Sequence, residues 1–143
     1  MDGVTDASTS STDTPATRQT SGEPAGDVQV TAVPERLFHV VERDVWEQAV
    51  RDGAYVWSTR GVTVADEGFV HLSRADQVAG TLGLFYADVP GELLLLVVDP
   101  ELTDAPMRLE GGFFHTYGEL PITAVVDVLL IARDAAGVWV APV

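Results

Sequence analysis

Six consecutive apolar residues, Leu93-Leu-Leu-Leu-Val-Val98, constrain the architecture more than any other stretch of the chain. In an extended strand, neighbouring side chains point to opposite faces, so a run apolar at every position needs cover on both sides. The run is too short to span a bilayer, and Pro90-Gly91 before it and Asp99-Pro100 after it are turn chemistry. It predicts a central strand in a layered domain, and the rest of the chain must supply the layers.

Alternation and caps supply candidates. Leu37–Val41 reads as a first strand. Asp44 as N-cap, with Glu47 three residues later, predicts a helix that buries Val45, Trp46, Ala49 and Val50 and ends near Gly53. Ser58 to Glu67 reads as a polar connection. In Gly68–Ser73 the alternation sets Phe69, His71 and Ser73 on one face and Val70 and Leu72 on the other. Ser73 is expected to cap a second helix with a Val78, Leu82, Phe85 stripe, in which Gly80 and Gly83 imply close packing. Met107–Glu110 is a further strand, followed by a Gly-Gly and aromatic loop. Val125–Ala132 reads as a buried strand that Asp134–Gly137 turns back into Val138–Val140. Two short helices against a mainly antiparallel sheet make an α+β domain over residues 35–143. Residues 1–34 are rich in Ser, Thr, Asp, Pro and Gly, and are expected to form a disordered tail with Val28–Val33 as an extended lead-in.

Charge and composition narrow the partners. The chain has 22 acidic residues against 8 basic ones, all arginine. Five acids and one arginine fall in residues 1–34, leaving 17 acids against 7 arginines, a net of −10. Such a surface repels phosphate backbones and anionic lipid, so a small-molecule ligand is expected and nucleic acid or membrane is not. No cysteine is present, which removes disulfides, zinc ribbons and thiol nucleophiles and suits a reducing, cytoplasmic setting. Nothing in the pattern encodes an oligomeric state.

The candidate chemistry lies in three histidines with similar surroundings: Phe38-His39, Phe69-Val-His71 and Phe113-Phe-His115. All sit on or beside predicted strands, and imidazole titrates near neutrality, so a shared polar pocket is expected. Ser73 shares a face with His71, Tyr117 with His115, and Glu110 ends the strand before the Gly-Gly loop. A tri-histidine metal site lacks any His-x-His or His-x-x-x-His pair to preorganise it, so no metal is expected. A two-histidine phosphodiesterase needs two His-x-Ser/Thr motifs, and only His71-Leu-Ser73 qualifies.

Leu37-Phe-His-Val40, Glu67-Gly-Phe-Val-His-Leu-Ser73, Leu95-Leu-Val-Val-Asp99 and His115-Thr-Tyr-Gly118, in this order, resemble the bacterial family known as domain of unknown function 952 over residues 36–133. The resemblance implies an ADP-ribosyltransferase-like split sheet with NAD bound as substrate in a cleft. It implies His39, Ser73 and Tyr117 as cofactor-binding residues, and His71, His115 and Glu110 as catalytic ones, Glu110 facing a ribosyl cation. The activity it implies is ADP-ribosyl transfer or NAD glycohydrolysis; the alternative is a non-catalytic module for a nucleotide or small metabolite. The sequence departs from NAD-using relatives in having Val40-Val41 after the first histidine and no Glu-x-Glu pair.

Overall fold

The structure is a computed structural model that describes residues 32–143. The expected tail and its lead-in fall almost wholly outside the described residues. The domain is α+β and mainly antiparallel. One sheet has the order β1-β5-β8-β9, where β1 is Leu37–Glu42, β5 Leu93–Val98, β8 Val125–Arg133 and β9 Trp139–Val140. A second sheet has the order β4-β7-β6, from Val70–Leu72, Phe113–Thr116 and Met107–Glu110. A small hairpin pairs β2 (Trp57–Thr59) with β3 (Val62–Thr63). Three helices, α1 (Arg43–Asp52), α2 (Val64–Glu67) and α3 (Val78–Phe85), complete the described α-helical segments. Backbone hydrogen bonds join the two larger sheets at one bridge, where Phe38 and Ser73 exchange bonds of 2.8 and 2.7 Å.

The apolar run is the central strand its pattern predicts. β5 pairs with β1 on one side and β8 on the other, and both of its faces are covered. Leu94, Leu96 and Val98 pack with Leu37, Val41, Trp46, Ala49 and Tyr55 against Val70, Leu72 and Phe114 of the second sheet. Leu93 and Leu95 pack on the opposite face with Phe38, Val40, Val78, Leu82 and Tyr86. Each leucine removed from water in this way contributes about 1.5–3 kcal/mol before chain entropy is counted.

Several local expectations are corrected. Helix α1 starts at Arg43, directly out of β1, so Glu42 is the N-cap residue and Asp44 lies in the first turn. Its carboxylate accepts from the Val45 N–H instead, and Val50 faces solvent. Ser58–Glu67 is a hairpin and a short helix, capped by the Thr63 hydroxyl on Asp66 N–H. Ser73 caps nothing: its backbone is committed to Phe38, and the Gln77 side chain accepts from Arg74 N–H to start the helical turn Ala75–Gln77. The Gly-Gly stretch is a two-residue hairpin turn with φ of +60° and +86° at Gly111 and Gly112, and the aromatics after it form β7. β8 is exposed along Val126, Val128 and Leu130, which alternate on one face of the strand and join neither core cluster.

Gly80 and Gly83 are also not packing glycines. Both lie on the exposed side of α3, and a Cβ at either position meets no atom within 4 Å. Gly80→Ala and Gly83→Ala are each expected to stabilise the domain by about 0.5–1 kcal/mol, read as a higher urea midpoint at unchanged slope. Thr116 presents the opposite case. It is fully buried on the core side of β7, and its hydroxyl has no partner. Thr116→Val removes a desolvated hydroxyl at constant shape and is expected to stabilise by about 1 kcal/mol; a loss of stability would mean that the hydroxyl is satisfied.

Candidate functional site

Antiparallel register builds the site. His71 on β4 lies opposite His115 on β7, and His115 lies opposite Arg108 on β6. Residues directly opposite share a face, so these three rows, extended two residues at a time, also bring Phe69, Phe113, Tyr117 and Glu110 to that face. The other face carries Val70, Leu72 and Phe114 into the core. The alternation in Phe69–Ser73 therefore does what its sequence says: apolar side chains go inward and His71 goes to the site.

His115 is held from three directions. Its ring stacks on Phe69 at 4.1 Å and 19°, and meets the His71 ring edge-on at 4.7 Å. Its Nδ1 lies 2.8 Å from Glu110 Oε1, which also accepts a 2.5 Å hydrogen bond from the Tyr117 hydroxyl. These two donors, Tyr117 first, hold the Glu110 carboxyl below its ordinary range, and Glu110 in turn pushes the Tyr117 hydroxyl up. A carboxylate only accepts, so Nδ1 carries a hydrogen, and the neutral form of the ring has its lone pair on Nε2. That is the tautomer of a general base oriented by a carboxylate. His71 has Glu67 Oε2 at 3.8 Å from its Nε2, too far for a hydrogen bond; partial burial and the neighbouring His115 lower its pKa.

His39 is a different kind of residue. It is 4% exposed, and both ring nitrogens are engaged: Nδ1 lies 2.7 Å from the His71 carbonyl and Nε2 lies 2.6 Å from the Tyr55 hydroxyl. The carbonyl can only accept, so Nδ1–H donates and Nε2 receives the Tyr55 proton. Burial drives its pKa down to about 4. His39 thus ties β1 to β4 as a neutral imidazole.

Between the sheets and α3 lies a cavity of about 480 Å³, within the range of small-molecule pockets. His39, His71, His115, Glu110 and Ser73 all line it. Of the six candidate residues, only Tyr117 does not; it acts on the cavity through Glu110. Thr81, Phe85, Tyr86 and Phe113, to which the sequence reading gives no site role, complete much of the wall. Phe85 was readable as part of the helix stripe, yet it is 59% exposed and leans over the cavity instead of joining the core. Ser73 Oγ lies 3.4 Å from Thr81 Oγ1. Gln77 and Arg74 donate to the Gly112 carbonyl, fixing the β6–β7 turn to the segment that leads into α3. Among the described residues, no three His, Asp or Glu side chains converge as metal ligands, and no helix is long and apolar enough to cross a membrane.

A family model described as protein of unknown function (DUF952) matches residues 40–128. The chain belongs to this family. The matched segment of the DUF952 domain contains His71, Ser73, Glu110, His115 and Tyr117, and begins one residue after His39. The fold is similar to that of protein CC0527 from Caulobacter crescentus. Against its crystal structure the chain has 26% identity and a TM-score of 0.63, covering 73% of this chain and 93% of that one. Against its solution NMR structure the values are 25% and 0.60, with 73% and 91% covered. No protein of curated description matches.

Proposed function

We propose that this DUF952 domain is a glycosyl-transfer enzyme that cleaves the bond between ribose and nicotinamide in an NAD-type ligand. The ADP-ribosyltransferase-like likeness of the split sheet belongs to the same proposal. One observation carries it: the Glu110 carboxylate faces the cavity with Oε1 fixed by two donors, while Oε2 has no hydrogen-bond partner among the described residues. A fixed anion with one open oxygen is what a ribosyl cation requires. The nicotinamide nitrogen takes the bonding pair and leaves as a neutral ring, so no acid is needed at the leaving group. Water or another hydroxyl then bonds to the ribose carbon and gives its proton to His115 Nε2, whose lone pair Glu110 keeps available. Ser73 and His39 border the ligand, and Tyr117 positions Glu110.

The second reading, binding without turnover, is favoured by the 40% exposure of the Glu110 side chain, since a wetter carboxylate stabilises a cation less. Nicotinamide release and melting temperature, measured on the same samples with NAD, separate the two. Release that disappears in Glu110→Gln supports the enzyme, and a raised melting temperature with NAD unconsumed supports the module. Neither effect at millimolar NAD refutes both.

A further inference from the structure

The charges around the cavity define the ligand more narrowly than the reading just given, on which this inference rests. Among the described residues Glu110 is the only carboxylate in the lining, and no arginine lines it. The sequence has no lysine to take that place. Three guanidiniums are tied to cavity-wall segments, and none lines the cavity: Arg108, on the site face of β6, lies 5.0 Å from the centre of the Tyr117 ring, and the other two are committed. Arg60 bonds Asp88 at 2.7 Å and the Phe85 carbonyl at 3.1 Å, and Arg74 bonds Asp76 and the Gly112 carbonyl, both at 3.2 Å. A phosphate inside the cavity would find no cation in the lining and would approach a carboxylate inside a strongly acidic domain. A positively charged flat ring would find the reverse. Glu110 supplies the opposite charge, and the aromatic side chains Phe113, Phe85 and Tyr86 line the same space.

We propose that the cavity selects an aromatic cation of the N-substituted pyridinium class and reads no phosphate: it holds the pyridinium-ribose end of a ligand, and any phosphates stay outside, in solvent. The nucleoside is then as good a ligand as the dinucleotide.

The test is calorimetric titration of the full chain with five probes: nicotinamide, 1-methylnicotinamide, nicotinamide riboside, nicotinamide mononucleotide and NAD. The methylated cation should bind about tenfold more tightly than neutral nicotinamide, and the riboside at least as tightly as either phosphorylated form. Glu110→Gln should erase the preference for the cation while leaving neutral nicotinamide unchanged. Phe113→Leu, which keeps the wall apolar, should weaken only the cations, and it serves if the first variant does not fold. Equal binding of nicotinamide and its methylated cation overturns the proposal. So does NAD binding about tenfold more tightly than the riboside, and if NAD is also consumed the glycosyl-transfer reading survives alone. If no probe binds at millimolar concentration, both fall together.

Discussion

Acidification from pH 7 to pH 4 is expected to destabilise the domain by about 3 kcal/mol through His39 alone. In the unfolded chain this imidazole takes its proton near pH 6.5; in the folded domain burial holds its pKa at about 4. Below 6.5 the unfolded state therefore binds a proton that the folded state refuses. Stability falls by about 1.4 kcal/mol per pH unit until the folded imidazole also titrates near pH 4, where the loss levels off. His71, whose pKa is also lowered, adds loss of the same sign. Urea unfolding at several pH values between 7 and 4 reads the slope directly. A His39→Leu variant that folds should be less stable at pH 7 yet lose most of this slope; an unchanged slope would place the titration elsewhere. The cost has a structural source. A proton on Nε2 would face the Tyr55 hydroxyl, which now donates to it, and Tyr55 is itself 2% exposed with little room to turn.

His39 also marks where sequence reading stops. The three histidines look equivalent as letters, each near a phenylalanine on a predicted strand. Three-dimensional pairing separates them into a buried strut and a facing pair, and that division depends on Tyr55, sixteen residues away on a segment with no chemical motif. The strands with local signals were legible: β5 from its unbroken apolar run, β6 from Met107 to Glu110, and the two faces of Phe69–Ser73. What escaped were features set by neighbours. Ser73 looks like a cap because caps are local, but its backbone is claimed by Phe38 across the sheet junction. β8 looks buried because it is apolar, but the face that carries Val126, Val128 and Leu130 is exposed. Gly80 and Gly83 imply crowding on a helix, while α3 leaves them facing open space. Glu110 was legible as a strand-end carboxylate, and the register of β6 against β7 is what delivers His115 and Tyr117 to it.

That register makes Glu110→Gln the most informative single change, with an expected loss of about 10²–10³ in NAD-consuming turnover. Glutamine keeps the length of the side chain, and its amide oxygen can still accept from His115 Nδ1–H and the Tyr117 hydroxyl. The geometry of the site and the tautomer of His115 are then retained, and the negative charge is what disappears. Glu110 sits at the end of an edge strand and outside both core clusters, so the domain should still fold, and a melting curve on the variant separates lost turnover from unfolding. Tyr117→Phe makes the complementary cut: the charge stays and one of its two anchors goes. If Tyr117 only positions the carboxylate, turnover should fall by about tenfold with little change in KM, since the hydroxyl never reaches the ligand. Nicotinamide release measured on both variants beside the wild type gives the order wild type, Tyr117→Phe, Glu110→Gln. Turnover in Glu110→Gln within about threefold of wild type would remove the negative charge of Glu110 from the chemistry.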